Sequence, residues 1–297
     1  MRSSKNPVDV SLIVPTYNRS ELLEYTLNSC LHQDTSQLEF EVIVADDGSS
    51  DNTKEVVGKY AEQINVKYVF QEDKGYRPGA ARNLGISVAE GEVCVMIDSG
   101  VILDPGCLAA HLEFHRAKGP KVAAIGYVYG FDQGVPDLLE KLRKAVIPMR
   151  PGESIRNLSK DKAFFDLRDH HYMHHRDKIE DLPAPWLYFW TCHVSVGREN
   201  LINVGMFDEQ YNGRWGCEDN DLGFRLNQSG TKIHLLREAK SIHYPHYENW
   251  PEKQKQGYEN CILFNNKFQT VETQLFLETY LNEIFTDINV MRIMERV

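Results

Sequence analysis

Acidic side chains occur at three places in the sequence where a polar turn interrupts an ordered pattern. Asp47 lies in VIVADDGSSDNT, Asp98 and Ser99 lie in VCVMIDSG, and Glu218 and Asp219 lie in RWGCEDNDLGFRL. Carboxylates in such turns can take a proton from a nucleophile or hold a divalent cation. The sequence therefore offers three sources of acid–base or metal chemistry, provided that the fold brings them together.

Strands and helices that could position these acids alternate through the first 130 residues. The apolar runs VDVSLIVP, FEVIVAD, VKYVF, VCVMID and KVAAIGYVYG are predicted strands, and the segments between them have helical spacing. Asn18 and Glu21 are spaced as a capping box, and Pro78 suits the first turn of a helix. Near-continuous apolar strands of this kind predict an α/β fold with a mostly parallel sheet and helices on both faces.

The carboxyl ends of parallel strands meet at one edge of a sheet, which is where ligands bind in such folds. The first, second and fourth predicted strands end at PTYNR, DDGSSDNT and Asp98. Asp47 could accept the N3–H of a uracil or bind ribose hydroxyls, while backbone amides and Arg82 could face phosphates. The converging turns favour a nucleotide site, with Asp47 as a simple helix cap the alternative.

Composition and charge argue against several classes of protein. The 297 residues carry a net charge of -10, which is unfavourable for binding nucleic acid through its phosphates. Six cysteines without a CxxC pair favour reduced, buried thiols. Because there is no apolar leader and no apolar stretch of ~20 residues, we predict a cytoplasmic protein. Peripheral contact with the inner face of a membrane stays open.

Six segments resemble, in order and spacing, the family 2 glycosyltransferases of the GT-A (Rossmann-like) fold. They are VSLIVPTYNR, VIVADDGSSDNT, KGYRPGAARNLGI, MIDSG, VSVGRENLINVGMFDE and RWGCEDNDLGFRL. GYRPGAARNLG and WGCEDNDLGFRL are most similar to modules of bacterial chondroitin and hyaluronan polymerases, and the second also resembles a C-terminal motif of galactosyltransferases. The resemblance implies an enzyme that transfers a sugar from a nucleotide diphosphate donor, with a UDP-sugar expected, to a hydroxyl acceptor.

The resemblance also implies how the chain divides. Residues 1–250 would form the GT-A domain, with a nucleotide-sugar-binding half at about 8–130, a loop-rich insertion at about 131–185 and an acceptor and catalytic half at about 186–250. Residues 251–297 would form a C-terminal helical extension, which could pack on the core or form a homo-oligomer. One face of its last helix is predicted to carry Leu277, Tyr280, Leu281 and Ile284.

Residue roles follow from the same resemblance. Pro15, Tyr17 and Arg19 would form the wall of the nucleotide pocket. Arg82, with Lys74 or Arg77, would lie near the pyrophosphate or ribose. Asp47 would bind the uracil or ribose, and Trp215 and Gly216 would lie beside the nucleotide sugar. Asp219 would be the general base of an inverting displacement, and Glu218 would position the acceptor or the donor sugar.

Asp98 and Ser99 stand where the resemblance places a metal-binding DxD motif, but Gly100 replaces the second acid. A second ligand could come from His243 or His246 in IHYPHYENW, since this region supplies a histidine ligand in several enzymes of similar motif. Imidazole favours Mn²⁺ over Mg²⁺. We expect half a metal site that histidine completes, with a weakly bound metal, or none, as the alternatives.

The acidic and histidine candidates also have plainer explanations. Asp219 and Asp221 suit the first turn of a helix, and Asp98 could cap a strand end without metal. His243 and His246 could be ordinary histidines at the surface or the edge of the core.

A histidine cluster and an aromatic segment complete the set of candidates. His170, His171, His174 and His175 include i, i+4 pairs that could chelate zinc, but a solvated or acceptor-facing segment is favoured. The aromatic residues Trp186, Tyr188 and Trp190 could stack on sugar rings or lie in a buried strand.

The sequence as a whole predicts a hexosyl- or N-acetylhexosaminyltransferase of glycan, polysaccharide or glycoconjugate biosynthesis. The acceptor could be a growing polysaccharide, a lipid-linked oligosaccharide, a peptide or a small molecule. A retaining transferase is one alternative. A non-catalytic nucleotide-sugar-binding or scaffold protein is the other, which the incomplete DSG motif favours and the pair Glu218–Asp219 opposes.

Overall fold

The computed structural model describes residues 7–131, 136–246 and 249–282. Within these residues a single eight-stranded sheet has the order β3-β2-β1-β4-β7-β6-β8-β5. The strands are β1 (Val10–Thr16), β2 (Phe40–Asp46), β3 (Val66–Phe70), β4 (Val93–Ile97), β5 (Val101–Leu103), β6 (Val122–Tyr129), β7 (His193–Gly197) and β8 (Lys232–His243).

The sheet is mixed in direction. Strands β3, β2, β1 and β4 are parallel neighbours, as the alternating sequence pattern predicts, and β6 is parallel to β8. Strand β7 runs antiparallel to both β4 and β6, and the short β5 runs antiparallel to β8. The parallel half therefore presents the carboxyl ends of β1, β2 and β4 at one edge, where ligands bind in α/β folds.

Helices cover both faces of the sheet, and alternate side chains of one strand enter different cores. Ile13 of β1 belongs to one apolar cluster, whereas Leu12 and Val14 belong to the other. The helices are α1 (Ser20–Cys30), α2 (Thr53–Ala61), α3 (Pro78–Val88), α4 (Cys107–Lys118), α5 (Pro136–Ala145), α6 (Pro151–Leu158), α7 (Asp169–His174), α8 (Arg198–Asn203), α9 (Glu218–Gln228), α10 (Trp250–Phe268) and α11 (Val271–Asn282).

The predicted capping box at the start of α1 is wrong. Asn18 has a positive φ of 49°, and its side-chain oxygen accepts the backbone N–H of Ser50 at 2.8 Å instead of capping the helix. The carboxylate of Asp51 takes the place of a cap, because it accepts the backbone N–H of Ser20 at 2.9 Å. The turn after β2 thus supplies the contact that the sequence assigned to the turn after β1.

The segment at about 131–185 is the one predicted as a loop-rich insertion with helical pieces. Helices α5, α6 and α7 lie within it. The aromatic run that follows is a 3-10 turn at Pro185–Tyr188, and not a strand, although Trp186 and Tyr188 are fully buried.

The C-terminal helices pack on the main domain through aromatic contacts. The ring centroid of Trp186 lies 5.4 Å from that of Phe264 in α10 and 5.8 Å from that of Phe276 in α11. Phe224 of α9 lies 5.8 Å from Phe264. The extension therefore shares the core, as one of its two predicted roles requires, while the predicted face residue Ile284 lies outside the described residues.

Across 7–131, 136–246 and 249–282, no helix combines the length and the apolar character needed to cross a bilayer.

Candidate active site

A cavity of about 910 Å³ opens at the carboxyl ends of β1, β2 and β4 and at the start of α9. It brings together acids that are far apart in the sequence: Asp47 after β2, Asp98 after β4, and Glu218 and Asp219 in α9. A cavity of this size suits a ligand as large as a nucleotide sugar. The further predicted residues on its wall are Pro15, Tyr17, Arg19, Arg82, Ser99, Trp215, Gly216, His243 and His246.

Arg82 lies between two of the acids. Helix α3 begins with Pro78 and carries Arg82 one turn later, where the side chain is buried. Its guanidinium lies 2.7 Å from an Asp98 carboxylate oxygen and 3.5 Å from a Glu218 oxygen. Although burial opposes ionisation of Asp98, the charge of Arg82 outweighs it, and the pKa of Asp98 is lowered. Asp98 is therefore a carboxylate at neutral pH.

Glu218 and Asp219 differ in their surroundings. Helix α9 begins at Glu218 because Cys217 adopts a left-handed φ of 68° and turns the chain. Burial raises the pKa of Glu218 despite the neighbouring Arg82. Burial and the charge of Glu218 raise the pKa of Asp219 to about 7. A carboxyl group with this pKa can gain or lose a proton near neutral pH, which is what a general base requires.

The predicted nucleotide residues around Asp47 divide into two groups. Asp47 lines the cavity, and its carboxylate accepts the backbone N–H of Arg77 at 2.8 Å and the side-chain amide of Gln71 at 2.6 Å. The Arg77 guanidinium pairs with Asp47 at 2.9 Å and is not on the cavity wall, and neither is the exposed Lys74. Gly75 and Tyr76 line the cavity between them. Arg77 thus holds Asp47 in place and does not itself face the cavity.

The turn after β1 is tied to the rest of the site by side-chain contacts. The Ser99 hydroxyl donates to the Pro15 carbonyl at 2.7 Å, which links the ends of β4 and β1. Arg19 Nη1 lies 3.0 Å from His246 Nε2, so the first turn of the chain meets the segment after β8. Tyr17 is half exposed and donates its hydroxyl to Asp73 at 2.9 Å.

Gly100 has a structural reason to be glycine. Its φ is +96°, a backbone conformation that residues other than glycine rarely adopt, and a Cβ there would lie 3.4 Å from the Cβ of Leu22. Its N–H donates to the Thr26 hydroxyl at 2.9 Å, and its carbonyl accepts the N–H of Tyr244 at 3.0 Å. A second acid at this position would point toward Leu22 of α1, which is not on the cavity wall.

The donor atoms for a divalent cation are present beside Asp98. His243 and His246 line the cavity with ring centroids 5.2 Å apart. Burial lowers the pKa of His243 to about 3 and that of His246 to about 4, so both are neutral imidazoles, the form that binds metal. One carboxylate and two imidazoles are ligand types that suit Mn²⁺. These three residues do not, however, bring one ligand atom each within 4.8 Å of one another in the described structure.

Helices α10 and α11 supply part of the cavity wall, which the sequence did not reveal. Trp250 and Lys253 line the cavity, with the Lys253 ammonium 5.2 Å from the ring centroid of Trp215 and 5.6 Å from that of Trp250. Burial lowers the pKa of Lys253 to about 8. Tyr280 of α11 also lies on the wall. The only sequence signal for this part of the wall was the segment WPEKQ at 250–254, and that segment is equally typical of a helix start.

Asn260 of α10 fixes the turn that precedes the acidic pair. It is fully buried, and its side-chain NH₂ donates to the carbonyl oxygens of Trp215 at 3.4 Å and Gly216 at 2.8 Å. Gln256 accepts the backbone N–H of Trp215 at 3.0 Å. The position of Glu218 and Asp219 therefore depends on the C-terminal extension.

Two further groups of candidates contribute one residue, Trp190, to the cavity wall. Of the three aromatic candidates, Trp190 lines the cavity, whereas Trp186 and Tyr188 are in the core. The histidines at 170, 171 and 174 lie in α7, and His175 follows its last residue. His171 is buried, so the solvated interpretation is wrong for this residue. Within the part of the chain that the structure describes, the segment 170–175 does not bring three metal-binding atoms within 4.8 Å of one another.

Comparison with known families identifies the family of the chain. The model of "Glycosyl transferase family 2" matches residues 11–182, and the model "N-terminal domain of galactosyltransferase" matches residues 171–249. The first match covers more than half of the chain and includes the turns with Asp47 and Asp98. The chain belongs to glycosyltransferase family 2.

Curated relatives match over most of the chain. Validoxylamine A glucosyltransferase from Streptomyces hygroscopicus subsp. jinggangensis is 34% identical over 284 residues, which are 96% of this chain and 67% of the relative. Chondroitin synthase from Escherichia coli is 31% identical over 240 residues, 79% of this chain but 34% of the relative. The chain thus spans about two thirds of the length of the first relative and one third of the second.

Solved structures share the fold. S. aureus TarS 1-349 in complex with UDP-GlcNAc has a TM-score of 0.63 and 21% identity, covering 93% of this chain and 72% of that chain. A mannosyltransferase from Pyrobaculum calidifontis in complex with GDP-Man and Mn²⁺ has a TM-score of 0.56 and 19% identity, covering 96% of this chain and 68% of that chain. The chain therefore has the GT-A fold.

Proposed function

We propose that the protein transfers a sugar from a UDP-sugar to a hydroxyl acceptor, with inversion at the anomeric carbon. The observation that carries this proposal is the single cavity in which Asp47, Asp98 and Arg82 face Glu218 and Asp219. The named relatives are a glucosyltransferase and a chondroitin synthase, and two structures of the same fold contain a UDP-sugar and a GDP-sugar. Those ligands belong to the neighbours and support only the donor class here.

Asp219 is the proposed base. The acceptor oxygen would attack the anomeric carbon, the bond from that carbon to the diphosphate oxygen would break, and the acceptor proton would pass to Asp219. The electron pair of the broken bond would leave with UDP. A pKa of about 7 leaves Asp219 partly ionised at neutral pH and makes it a stronger base than an ordinary aspartate. Glu218, held by Arg82, would instead hydrogen-bond sugar hydroxyls.

Cationic side chains would stabilise the departing diphosphate. Arg82 is buried beside Asp98, and Arg19 and Lys253 line the same cavity. Fixed positive groups at the point where negative charge develops lower the barrier, because they need no reorganisation during the reaction. Asp47, oriented by Arg77, would bind the uracil or ribose at the other end of the donor.

A divalent cation would be held by Asp98 together with His243 and His246. When bound, it would act as a Lewis acid that neutralises charge on the diphosphate. The imidazole ligands favour Mn²⁺ over Mg²⁺. Asp98 is paired with Arg82, and His246 is close to Arg19, so the side chains of both must change their contacts to bind the metal.

The acceptor side is proposed to be lined by aromatic rings. Trp190, Trp215 and Trp250 lie on the cavity wall, and such rings can stack on the apolar face of a sugar. The relatives' names include a small-molecule acceptor and polysaccharide synthases, so both classes belong in an acceptor screen.

The decisive experiment measures UDP release from UDP-sugars in the presence of a panel of small-molecule and oligosaccharide acceptors. Asp219→Asn should lower kcat by about 10²–10⁴ while UDP still binds in calorimetry. Asp181→Asn is the matched control, because this exposed carboxylate does not line the cavity. If UDP binds, but UDP release stays at the protein-free background with every acceptor in both wild type and Asp219→Asn, the protein is a binding protein and the proposal is refuted. NMR of the first-formed anomer separates inversion from retention.

A further inference from the structure

A second group of metal-binding side chains lies inside the core, outside the cavity wall. Cys107 and His111 are one turn apart on α4, and His193 is the first residue of β7. All three side chains are fully buried. Helix α4 packs on the sheet beside β4, β6 and β8, so the face that carries Cys107 and His111 lies over the strand that carries His193.

The ligand atoms converge on one point. His193 Nε2 lies 3.0 Å from His111 Nε2 and 3.4 Å from Cys107 Sγ, and all three atoms lie within 4.8 Å of one another. In a tetrahedral zinc site, with Zn–N near 2.0–2.1 Å and Zn–S near 2.3 Å, neighbouring ligand atoms are ~3.3–3.6 Å apart. The observed spacing is slightly tighter than that of a loaded site.

His193 is oriented for such a role. Its other ring nitrogen, Nδ1, lies 2.8 Å from the Ser241 hydroxyl of β8, the kind of outer contact that fixes the tautomer of a metal-binding histidine. The ring also lies against Gly126 of β6, where an added Cβ would come within 2.2 Å of it. Nε2 is therefore held toward α4. Two imidazole nitrogens that face each other at 3.0 Å need a proton or a cation between them.

We propose that Cys107, His111 and His193 bind a thiophilic d¹⁰ transition-metal ion, Zn²⁺ or Cu⁺, at a structural site in the core. Thiolate and imidazole select these ions and disfavour Mg²⁺ and Ca²⁺, which prefer oxygen. On binding, the Cys107 S–H bond breaks, an S–metal bond forms, and the proton leaves to solvent. Because Thr191 and Cys192, just before His193, line the cavity, the ion would also fix one part of its wall.

The test uses the full chain purified without a histidine tag. Mass spectrometry of metal content should find one equivalent of zinc or copper per chain, retained in Asp98→Asn and lost in Cys107→Ser. Cys94→Ser is the matched control, since Cys94 is equally buried but lies in β4, outside the cluster. Refolding with Co²⁺ should give a thiolate-to-cobalt charge-transfer band that is kept in Cys94→Ser and lost in Cys107→Ser, which separates the cluster from the thiols Cys192 and Cys217 on the cavity wall.

The wild-type chain alone can overturn the proposal. If the folded wild type carries no zinc or copper, and shows no thiolate-to-cobalt band after refolding with Co²⁺, then the two imidazoles share a proton and the cluster is a hydrogen-bonded part of the core. This result decides the matter even if Cys107→Ser fails to fold. Neither outcome depends on transferase activity, so the proposed function stands or falls separately.

Discussion

The substitution Gly100→Asp would restore the second acid of the metal-binding motif in sequence, yet we expect it to destabilise the protein. At φ +96° an L-residue costs about 1–2 kcal/mol. The new side chain would enter a buried position next to Leu22, and burying a polar group without a partner costs a further ~1–3 kcal/mol. The sum is about 2–5 kcal/mol, which corresponds to a fall in Tm of roughly 4–10 °C for a chain of this size.

Gly205→Asp separates backbone strain from burial. Gly205 has a φ of +86° but is exposed, and an added Cβ there would meet no atom within 4 Å. The strain alone should lower its free energy of unfolding by about 1–2 kcal/mol, which corresponds to a fall of ~2–4 °C in Tm. Differential scanning calorimetry gives both values, and titration calorimetry of Mn²⁺ with UDP present gives the metal affinity. A Gly100→Asp variant with wild-type Tm and tighter Mn²⁺ binding would refute the structural explanation of the DSG motif.

Three further substitutions test the site and its supports. Because a pKa of about 7 keeps Asp219 protonated at lower pH, kcat/KM should fall about tenfold per pH unit below pH 7, and Asp219→Asn should abolish this limb of the pH–rate profile. Arg82→Met leaves Asp98 without its cation, so calorimetry should show UDP binding weakened about tenfold or more. The free energy of unfolding should fall by roughly 2 kcal/mol, which is less than for a fully buried pair because Asp98 is partly exposed. Lys267→Met removes the 2.5 Å pair between α10 and the buried Asp221 and should lower Tm by ~2–4 °C while the KM for the donor stays unchanged.

The parallel half of the fold could be predicted because its signals are local. Strands such as FEVIVAD are apolar throughout, and the turns after them place Asp47 and Asp98 at one edge of the sheet. The antiparallel direction of β7 was not predicted, because the residue pattern of a strand such as HVSVG is the same in either orientation.

Contacts between distant segments were beyond the sequence. Neither the pairing of Arg77 with Asp47 nor the burial of Arg82 between Asp98 and Glu218 has a signature in residue spacing. The cluster of Cys107 and His111 with His193 shows the same limit, since only the i, i+4 half of it is visible in the sequence CLAAH.

The balance of charge in the cavity favours a metal-dependent reaction over a metal-free one. Arg82, Arg19 and Lys253 contribute three positive charges to the wall, while Asp98 and Glu218, with a partly ionised Asp219, offset most of them. The remaining acid of the wall, Asp47, is paired with Arg77 behind it. The diphosphate of a UDP-sugar would then enter a site with little surplus positive charge. A divalent cation bound at Asp98 would supply it and would release Arg82 from its pair with that carboxylate. UDP affinity should therefore rise with Mn²⁺ in the wild type and become insensitive to Mn²⁺ in Asp98→Asn, and equal UDP affinity with and without Mn²⁺ in the wild type would show that the arginines and Lys253 suffice.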